Sequence, residues 1–335
     1  MSCAIFWVKQ DKNKLKNFFL SFFLLLISST NLIYAESIKI GLGSCLDQDY
    51  PQPIWQSIEK EDLSYFIFLG DNVYGDTRYG SLRKMKSAYD KQKKVLPDFL
   101  NDISIFSIWD DHDFGINDGG ADYRFKRRAQ ELYLDFWEIT KDDDRSNREG
   151  IYFSENKVFF DKKFKFIFLD TRFFRSKLKG KKSNYIENIE PDATILGNAQ
   201  WTWLENELKS DFDFLFIFSS IQIIAKDHRF EKWSNFPNER AKLFKLLEQF
   251  NDKTILFSGD RHRAGIYGKN GIIEVTSSSM NKPGSSFTET DSYLIGKTYP
   301  QENYGVLEVL QNKIRINIKD IKGNTLNSIE KSYKK

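Results

Sequence analysis

Side chains that could bind metal ions occur in short clusters at separate points of the chain. Thiolate, imidazole and phenolate groups are donors for a transition metal such as ferric iron, whereas carboxylates bind harder cations. A dispersed set of such donors is typical of a metal-dependent hydrolase. The clusters contain Cys45, Asp71 with Tyr74, Asp110 to Asp113, and Asp260 with His262.

Asp71 and Tyr74 follow an apolar run and are three residues apart, so a turn would point both side chains toward one spot. The alternative is an aspartate that caps a helix beside a packing tyrosine. Cys45 is the only cysteine apart from Cys3. Its thiol is therefore either a metal ligand or a small buried apolar group.

The segment Trp109 to Asp113 places three carboxylates and a histidine in four consecutive positions. Like charges this close repel one another unless cations or hydrogen-bond donors compensate them. The alternative is an exposed acidic loop. His112 could protonate a leaving-group oxygen or stabilise charge that develops on a phosphoryl oxygen.

Asp260 and His262 alternate along the chain, so an extended stretch would aim both at one side. They are either two metal ligands or a surface aspartate beside a hydrogen-bonded histidine. Arg172 could clamp a phosphate bidentately, or it could form a structural pair with Asp170. For His228, in a polar loop, we expect no functional role.

Five apolar runs rich in Phe and Ile predict buried strands, and each run ends in polar residues. The carboxyl ends of strands are where layered α/β sheets place ligand sites. The sequence therefore predicts that the clusters meet at one edge. The runs are 65–69, 103–109, 164–169, 212–218 and 254–257.

Helical periodicity predicts helices over 122–139, 199–209 and 239–250. Alternation in Tyr304 to Leu310 and in Ile314 to Ile318 predicts a hairpin. Polar segments without periodicity predict loops over 177–193 and 281–302. No internal repeat or long linker divides residues 36–335, which we interpret as one domain.

Residues 1–35 combine basic residues, a short apolar run and a small residue before Glu36. This pattern predicts a cleaved secretory leader; the alternative, a membrane anchor, needs about 20 apolar residues. The leader holds four of the 50 basic and one of the 47 acidic residues, so the remainder is formally neutral. This balance gives no support for a nucleic-acid or membrane-surface partner.

Seven ordered blocks of sequence resemble those of the PhoD-like alkaline phosphatases, within the calcineurin-like metallophosphatases. The resemblance runs from about residue 38 to residue 320. It implies an α/β fold, a four-layer α/β/β/α metallophosphatase sandwich of two mixed sheets flanked by helices. The blocks start at Gly43, Gly70, Trp109, Leu169, Leu196, Ser219 and Ser258.

The same resemblance implies functional residues at matching positions. His112 and Arg172 are the expected catalytic residues, and the expected cofactors are ferric iron and calcium. The implied metal ligands are Cys45, Asp71, Tyr74, Asp110, Asp111, Asp260 and His262.

We expect an extracytoplasmic, monomeric phosphoesterase that hydrolyses phosphate mono- or diesters with a metal-bound hydroxide. Its partner is a small-molecule or polymeric phosphoester, with no nucleic-acid-binding module and no membrane anchor after leader cleavage. One alternative is a phosphodiesterase that prefers nucleotide, phospholipid or wall-polymer diesters. Another is a secreted binding protein that retains the fold without catalysis.

Overall fold

Two large mixed β-sheets form the framework that positions the clusters. The computed structural model describes residues 37–333, so the predicted leader at 1–35 lies outside the described residues. None of the helices within 37–333 is long and apolar enough to cross a membrane. The helices are α1 Trp55–Ile58, α2 Arg83–Val95, α3 Asp111–Phe114, α4 Lys126–Phe136, α5 Asp144–Asn147, α6 Gly197–Glu207 and α7 Pro237–Leu247.

The strands divide between two large sheets and one small hairpin. The first sheet has the order β15-β14-β13-β1-β2-β3, and the second has the order β12-β10-β11-β9-β8-β5-β4. Among the strands within residues 37–333, β6 and β7 pair only with each other. The bounds are β1 Ser37–Gly43, β2 Tyr65–Leu69, β3 Ser104–Ile108, β4 Phe153–Phe159, β5 Lys162–Phe168, β6 Lys179–Lys181, β7 Asn184–Ile186, β8 Phe214–Ser219, β9 Thr254–Ser258, β10 Ala264–Lys269, β11 Ile272–Thr276, β12 Leu294–Tyr299, β13 Asn303–Leu310, β14 Lys313–Asp320 and β15 Thr325–Ser332.

Alternation of side chains along the buried strands builds the layers. In β2, Ile67 and Leu69 face the core between the sheets, whereas Phe66 and Phe68 pack on the opposite side with α1. In β8, Phe216 belongs to the central core, while residues of the other face pack with α6 and α7. Each sheet is thus covered on both faces, which confirms the predicted four-layer sandwich.

A row of aromatic rings crosses the second sheet within the central core. Phe168 and Phe218 stack with ring centroids 4.6 Å apart, and Phe218 stacks on Phe257 at 5.0 Å. These residues are direct cross-strand neighbours on β5, β8 and β9, so their rings lie on the same face. The row fixes the register of the three parallel strands whose ends carry polar residues.

Parallel strands from both sheets end at the same region of the molecule. In the first sheet, β1, β2 and β3 are parallel neighbours, and in the second, β5, β8 and β9 are. The clusters identified in the sequence follow these strand ends directly. The predicted convergence therefore has its structural basis in parallel pairing.

Two predicted loops contain strands, so those predictions were wrong. Residues 177–193 include the β6–β7 hairpin, and residues 281–302 include β12. Both are short or exposed elements with little apolar alternation, which leaves no periodic signal. The predicted hairpin is confirmed by antiparallel pairing of β13 with β14. The three predicted helices are present as α4, α6 and α7, each displaced at its ends.

Candidate metal centre

Backbone hydrogen bonds hold the loops after the strands against one another. The amide of Cys45 donates to the carbonyl of Gly70 at 3.2 Å, which joins the ends of β1 and β2. The amide of Met280 donates to the carbonyl of Ser44 at 2.9 Å. A side chain at Gly259 would collide with Ser44 Oγ at 2.7 Å and with the carbonyl oxygen of Leu69 at 2.8 Å. The loops of the two sheets therefore touch directly.

The thiol of Cys45, the phenol of Tyr74 and the imidazole of His262 surround Asp71. Cys45 Sγ lies 3.5 Å from Asp71 Oδ2, and Tyr74 Oη lies 3.2 Å from the same oxygen. One donor atom each of Cys45, Asp71 and His262 falls within 4.8 Å of the others. The structure thus brings together four residues that the sequence predicted as ligands.

Neighbouring groups orient the imidazole of His262 toward this cluster. Its Nδ1 lies 2.5 Å from the carbonyl oxygen of Lys282, so Nδ1–H donates and Nε2 keeps its lone pair for a cation. Ser278 Oγ accepts from the amide of His262 at 2.8 Å and lies 3.1 Å from Cys45 Sγ. Sequence reasoning missed Ser278, since a serine among three consecutive serines gives no signal of such a role.

A second cluster consists of carboxylates and shares Asp71 with the first. One oxygen each of Asp71, Asp110, Asp111 and Asp260 lies within 4.8 Å of the others. Asp110 Oδ2 and Asp111 Oδ1 are buried and have no hydrogen-bond partner among the described residues. Buried carboxylate oxygens without donors are costly unless a cation binds them.

The charges of the protein groups alone are poorly balanced in these clusters. Burial, together with the charges of Asp111 and Asp113, raises the pKa of Asp71 to about 8. Burial and neighbouring carboxylates also raise the pKa of Asp260 well above its usual range. The pKa of Cys45 is raised by burial and by Asp71. Cations would offset this repulsion, so the donor set fits metal ions.

Four of the candidate ligands adopt backbone conformations that are rare for residues other than glycine. The φ angles are 56° at Cys45, 53° at Asp71, 61° at Asp260 and 50° at His262. A left-handed conformation costs roughly 1–3 kcal/mol per residue and persists where the surroundings enforce it. Such strain is concentrated at functional sites, and here it turns the side chains inward.

His112 lies beside both clusters and has a partner that the sequence did not reveal. Its Nδ1 is 2.6 Å from Asp76 Oδ2, and its ring is 4.3 Å from that of Tyr74 between centroids. Burial lowers the pKa of His112, but Asp111, Asp71 and Asp76 outweigh it and raise the pKa to about 11. Burial raises the pKa of Asp111, but the charges of His112 and Arg172 outweigh this effect and lower the pKa to about 2.

Arg172 is fully buried and paired behind Asp110. Its Nε lies 2.6 Å from Asp110 Oδ1, and its Nη1 lies 2.6 Å from Glu231 Oε2. Glu231 also contacts Arg175 Nε at 2.8 Å. The guanidinium pairs with carboxylates other than Asp170, which accepts a hydrogen bond from the backbone amide of Arg172 at 2.8 Å. The expected phosphate clamp stays a prediction. The geometry of Arg172 favours holding Asp110 in place over clamping a phosphate.

Asp113 has a structural role within the acidic segment. It accepts hydrogen bonds from the amide of Asn72 at 3.1 Å and from the amide of Asp110 at 2.5 Å. Asp110 and Asp113 together cap the first turn of α3. The acidic run therefore divides into Asp110 and Asp111, which face the cluster, and Asp113, which stabilises the turn.

A cleft of about 250 Å³ opens next to the two clusters. Asp111, His112, Asp260 and His262 line its inner end. A small substrate in this cleft would therefore contact the carboxylate cluster and both histidines. The remainder of the lining comes from Asn117 and Asp118, from the β6–β7 hairpin, from Arg261 and Arg263, and from the segments around Phe230 and Ser285.

A four-layer sandwich with acidic, histidine and cysteine side chains at its strand ends places the chain among the metallophosphatase folds. The PhoD-like phosphatase family model matches residues 84–303, more than half of the chain. The chain therefore belongs to the PhoD-like phosphatase family, and it is a phosphoesterase by class. The matched range includes Asp110, Asp111, Asp260 and His262.

Solved structures share this fold at low sequence identity. The structure of PhoD matches with a TM-score of 0.68 and 15% identity, covering 89% of this chain and 69% of that one. GAP50, the anchor in the inner membrane complex of Plasmodium, matches at 0.61 and 15%, covering 89% and 90%. Purple acid phosphatase PPD1 from yellow lupin seeds matches at 0.56 and 12%, covering 88% and 54%. No curated protein sequence matches this chain.

Proposed function

We propose that this phosphoesterase depends on bound iron and calcium and hydrolyses phosphate mono- or diesters outside the cytoplasm. The observation that supports it most is the position of Asp71. Its carboxylate belongs to a cluster with Cys45 and His262 and to a second cluster of aspartates, in each case within 4.8 Å. A carboxylate shared in this way can bridge two cations.

The two clusters suit different cations. Cys45, Tyr74 and His262 offer a thiolate, a phenolate and an imidazole, which are ligands for ferric iron. Asp110, Asp111 and Asp260 offer only oxygen donors, which calcium prefers. Asp71 is common to both sets, and this accounts for all seven expected metal ligands.

Cations held there supply Lewis acidity toward phosphoryl oxygens and lower the pKa of a water molecule. The chain's own residues do the rest. His112, oriented through Nδ1 by Asp76, keeps Nε2 for a proton or a hydrogen bond to the leaving-group oxygen. Arg172 keeps Asp110 in place from behind. We therefore propose His112 as the catalytic residue and Arg172 as a positioning residue.

The expected partner and location remain part of this proposal. The substrate is a small-molecule or polymeric phosphoester that reaches the cleft, and the protein acts as a monomer. The leader-like composition of residues 1–35 and the formal neutrality of the remainder support an extracytoplasmic location without a nucleic-acid partner.

Substitution of Asp71, which both clusters share, and of Asp260 in the carboxylate cluster tests the proposal. Asp71→Asn and Asp260→Asn should abolish hydrolysis of both a monoester and a diester chromogenic substrate, while circular dichroism shows a retained fold. Asp49→Asn is a matched control, since Asp49 is more than half exposed and pairs with Lys91 on the surface. Turnover by both site variants at the wild-type rate would refute the metal assignment.

Elemental analysis and a visible spectrum of the purified protein test the cofactors. Thiolate and phenolate bound to ferric iron should give a charge-transfer band, and calcium should be present beside iron. An active protein that is colourless and free of calcium would overturn the assignment. A protein that binds both metals and phosphate esters but hydrolyses none would instead be the binding protein of the same fold.

A further inference from the structure

The cleft has two ends of opposite character. The inner end is acidic and contains the candidate metal ligands Asp111 and Asp260. The outer end, with the ion-pair partners directly behind its walls, contains more basic than acidic side chains. The basic ones are Lys182, Arg261, Arg263 and Arg175, and the acidic ones are Asp118, Glu231 and Glu289.

Most of these basic groups are already committed to carboxylates. Arg261 pairs with Glu289, and Arg263 Nε lies 3.4 Å from the same carboxylate. Arg263 Nη1 also donates to the carbonyl of Phe287 at 2.8 Å. The two arginines are buried and held by these contacts. They contribute positive potential to the cleft, but their side chains are not free to reorient toward a ligand.

Lys182 differs because its partner is neutral. Lys182 lies at the tip of the β6–β7 hairpin and reaches across the cleft, where its Nζ donates to Asn117 Oδ1 at 2.9 Å. An ammonium has three donors, and an amide oxygen satisfies one of them without neutralising the charge. Lys182 is therefore available to an anionic group in the cleft.

The hairpin that carries Lys182 is anchored beside the carboxylate cluster. Tyr185 Oη donates to Asp118 Oδ2 at 2.6 Å, and the amide of Tyr185 donates to the carbonyl of Arg229 at 2.9 Å. The amide of Asp118 in turn donates to Asp111 Oδ2 at 2.5 Å. The position of Lys182 is thereby linked to that of a candidate metal ligand.

Phe230 also lines the cleft and supplies an apolar surface. Arg261 Cζ lies 4.6 Å from its ring centroid, so the ring is held by a cation–π contact. The carbon skeleton of a substrate in the cleft can contact this ring.

We propose that the outer end is a leaving-group subsite for phosphoesters whose alcohol carries a second negative charge, with Lys182 as the residue that determines this specificity. The proposal rests on the phosphoesterase function and adds its substrate class. The phosphoryl group lies at the acidic end, the carbon skeleton contacts Phe230, and the distal anion meets Lys182.

A pair of isosteric substrates tests the subsite. 3-Carboxyphenyl phosphate and 3-carbamoylphenyl phosphate differ in the charge of one distal group and share the reacting ester. Wild-type protein should show a higher kcat/KM for the carboxylate, by about two- to five-fold, as for a partly exposed ion pair. Lys182→Gln should remove that preference, so that the variant hydrolyses the two esters with about equal kcat/KM.

Lys181→Gln is the matched control, since Lys181 is an exposed neighbour on the same hairpin and does not line the cleft. It should retain the wild-type ratio. Equal kcat/KM for the two esters in wild type, or an unchanged ratio in Lys182→Gln, would overturn the subsite while leaving the phosphoesterase intact. Hydrolysis of neither ester by wild type would overturn the subsite, whereas the phosphoesterase proposal would be contradicted only if a chromogenic diester were not hydrolysed either.

Discussion

Cys45 Sγ and Asp71 Oδ2 lie 3.5 Å apart although 26 positions separate the two residues in the chain. The contact arises because β1 and β2 are parallel neighbours, so that the residues that follow each strand emerge side by side. Both residues adopt left-handed backbone conformations, and both side chains are buried. As a thiol, Cys45 donates a hydrogen bond to the Asp71 carboxylate. As a thiolate it would repel Asp71, and a shared cation would remove that repulsion.

Ser278 supports two candidate ligands at once, so its loss should weaken metal binding. Its Oγ contacts Cys45 Sγ and accepts from the amide of His262. We expect Ser278→Ala to lower metal affinity by roughly 10- to 100-fold, as for other partners of metal ligands. Competition with a chelator measures the change. Ser279→Ala is the control because Ser279 Oγ has no hydrogen-bond partner within residues 37–333; equal affinities in the two variants would contradict the role.

Glu231 balances two buried guanidinium groups, and its neutralisation should destabilise the fold. In Glu231→Gln, Arg172 and Arg175 lose the carboxylate that lies 2.6 Å and 2.8 Å from them. Breaking a buried pair costs about 3–5 kcal/mol of unfolding free energy, which chemical denaturation measures. The exposed pair of Glu149 with Arg127 provides the comparison, where Glu149→Gln should cost less than about 1 kcal/mol. Similar losses of unfolding free energy in both variants would show that the buried pairs of Glu231 with Arg172 and Arg175 contribute no more than an exposed pair.

His112 and Asp76 should affect turnover in a graded manner. His112→Gln removes the proposed proton donor to the leaving-group oxygen, and we expect kcat to fall by roughly 10²- to 10⁴-fold with a smaller change in KM. Asp76→Asn keeps the ring and loses only the charge at Nδ1, so its effect should have the same direction and a smaller size. Steady-state kinetics distinguish the two. A larger loss in Asp76→Asn than in His112→Gln would contradict this order.

His228 should make the stability of the fold sensitive to acid. Burial, with the charges of Arg261, Lys232 and Arg263, holds the pKa of His228 well below its usual value. The unfolded chain therefore binds a proton first, so this contribution is fully present above a pH of about 6.5 and is lost as pH falls below it.

Denaturation at a series of pH values checks this dependence against His228→Gln. The loss contributed by one histidine approaches about 1.4 kcal/mol per pH unit. The variant should lose less stability than wild type between pH 7 and pH 5. Parallel curves for the two proteins would show that His228 is not the responsible group.

The sequence predicted the buried strands and the convergence of the clusters because strand ends are marked by local chemistry, whereas the four-layer arrangement was implied by the family resemblance. The runs that end at Gly70 and Ser258 became β2 and β9, and the residues after them meet as expected. Period-two alternation likewise predicted the β13–β14 hairpin. Strand ends and alternation depend on residues that are neighbours in the chain, so they can be recognised from the sequence alone.

The partners that support the site depend on tertiary contacts and left no such pattern. Asp76, Glu231 and Ser278 act only because distant segments meet them, so nothing in their immediate sequence distinguishes them. Arg172 was recognised as important, yet its burial and its pairing with Asp110 could not be predicted. The β6–β7 hairpin was missed because three-residue strands do not establish a period.

The candidate ligands come from both sheets: Cys45 follows a strand of the first, and His262 follows a strand of the second. A partly folded chain cannot offer these donors together, so uptake of the proposed cations would be a late event in maturation. A cation that binds only the folded form would stabilise it and oppose separation of the sheets. Resistance to heat and to proteolysis should therefore follow the metal supply as well as the amino-acid sequence.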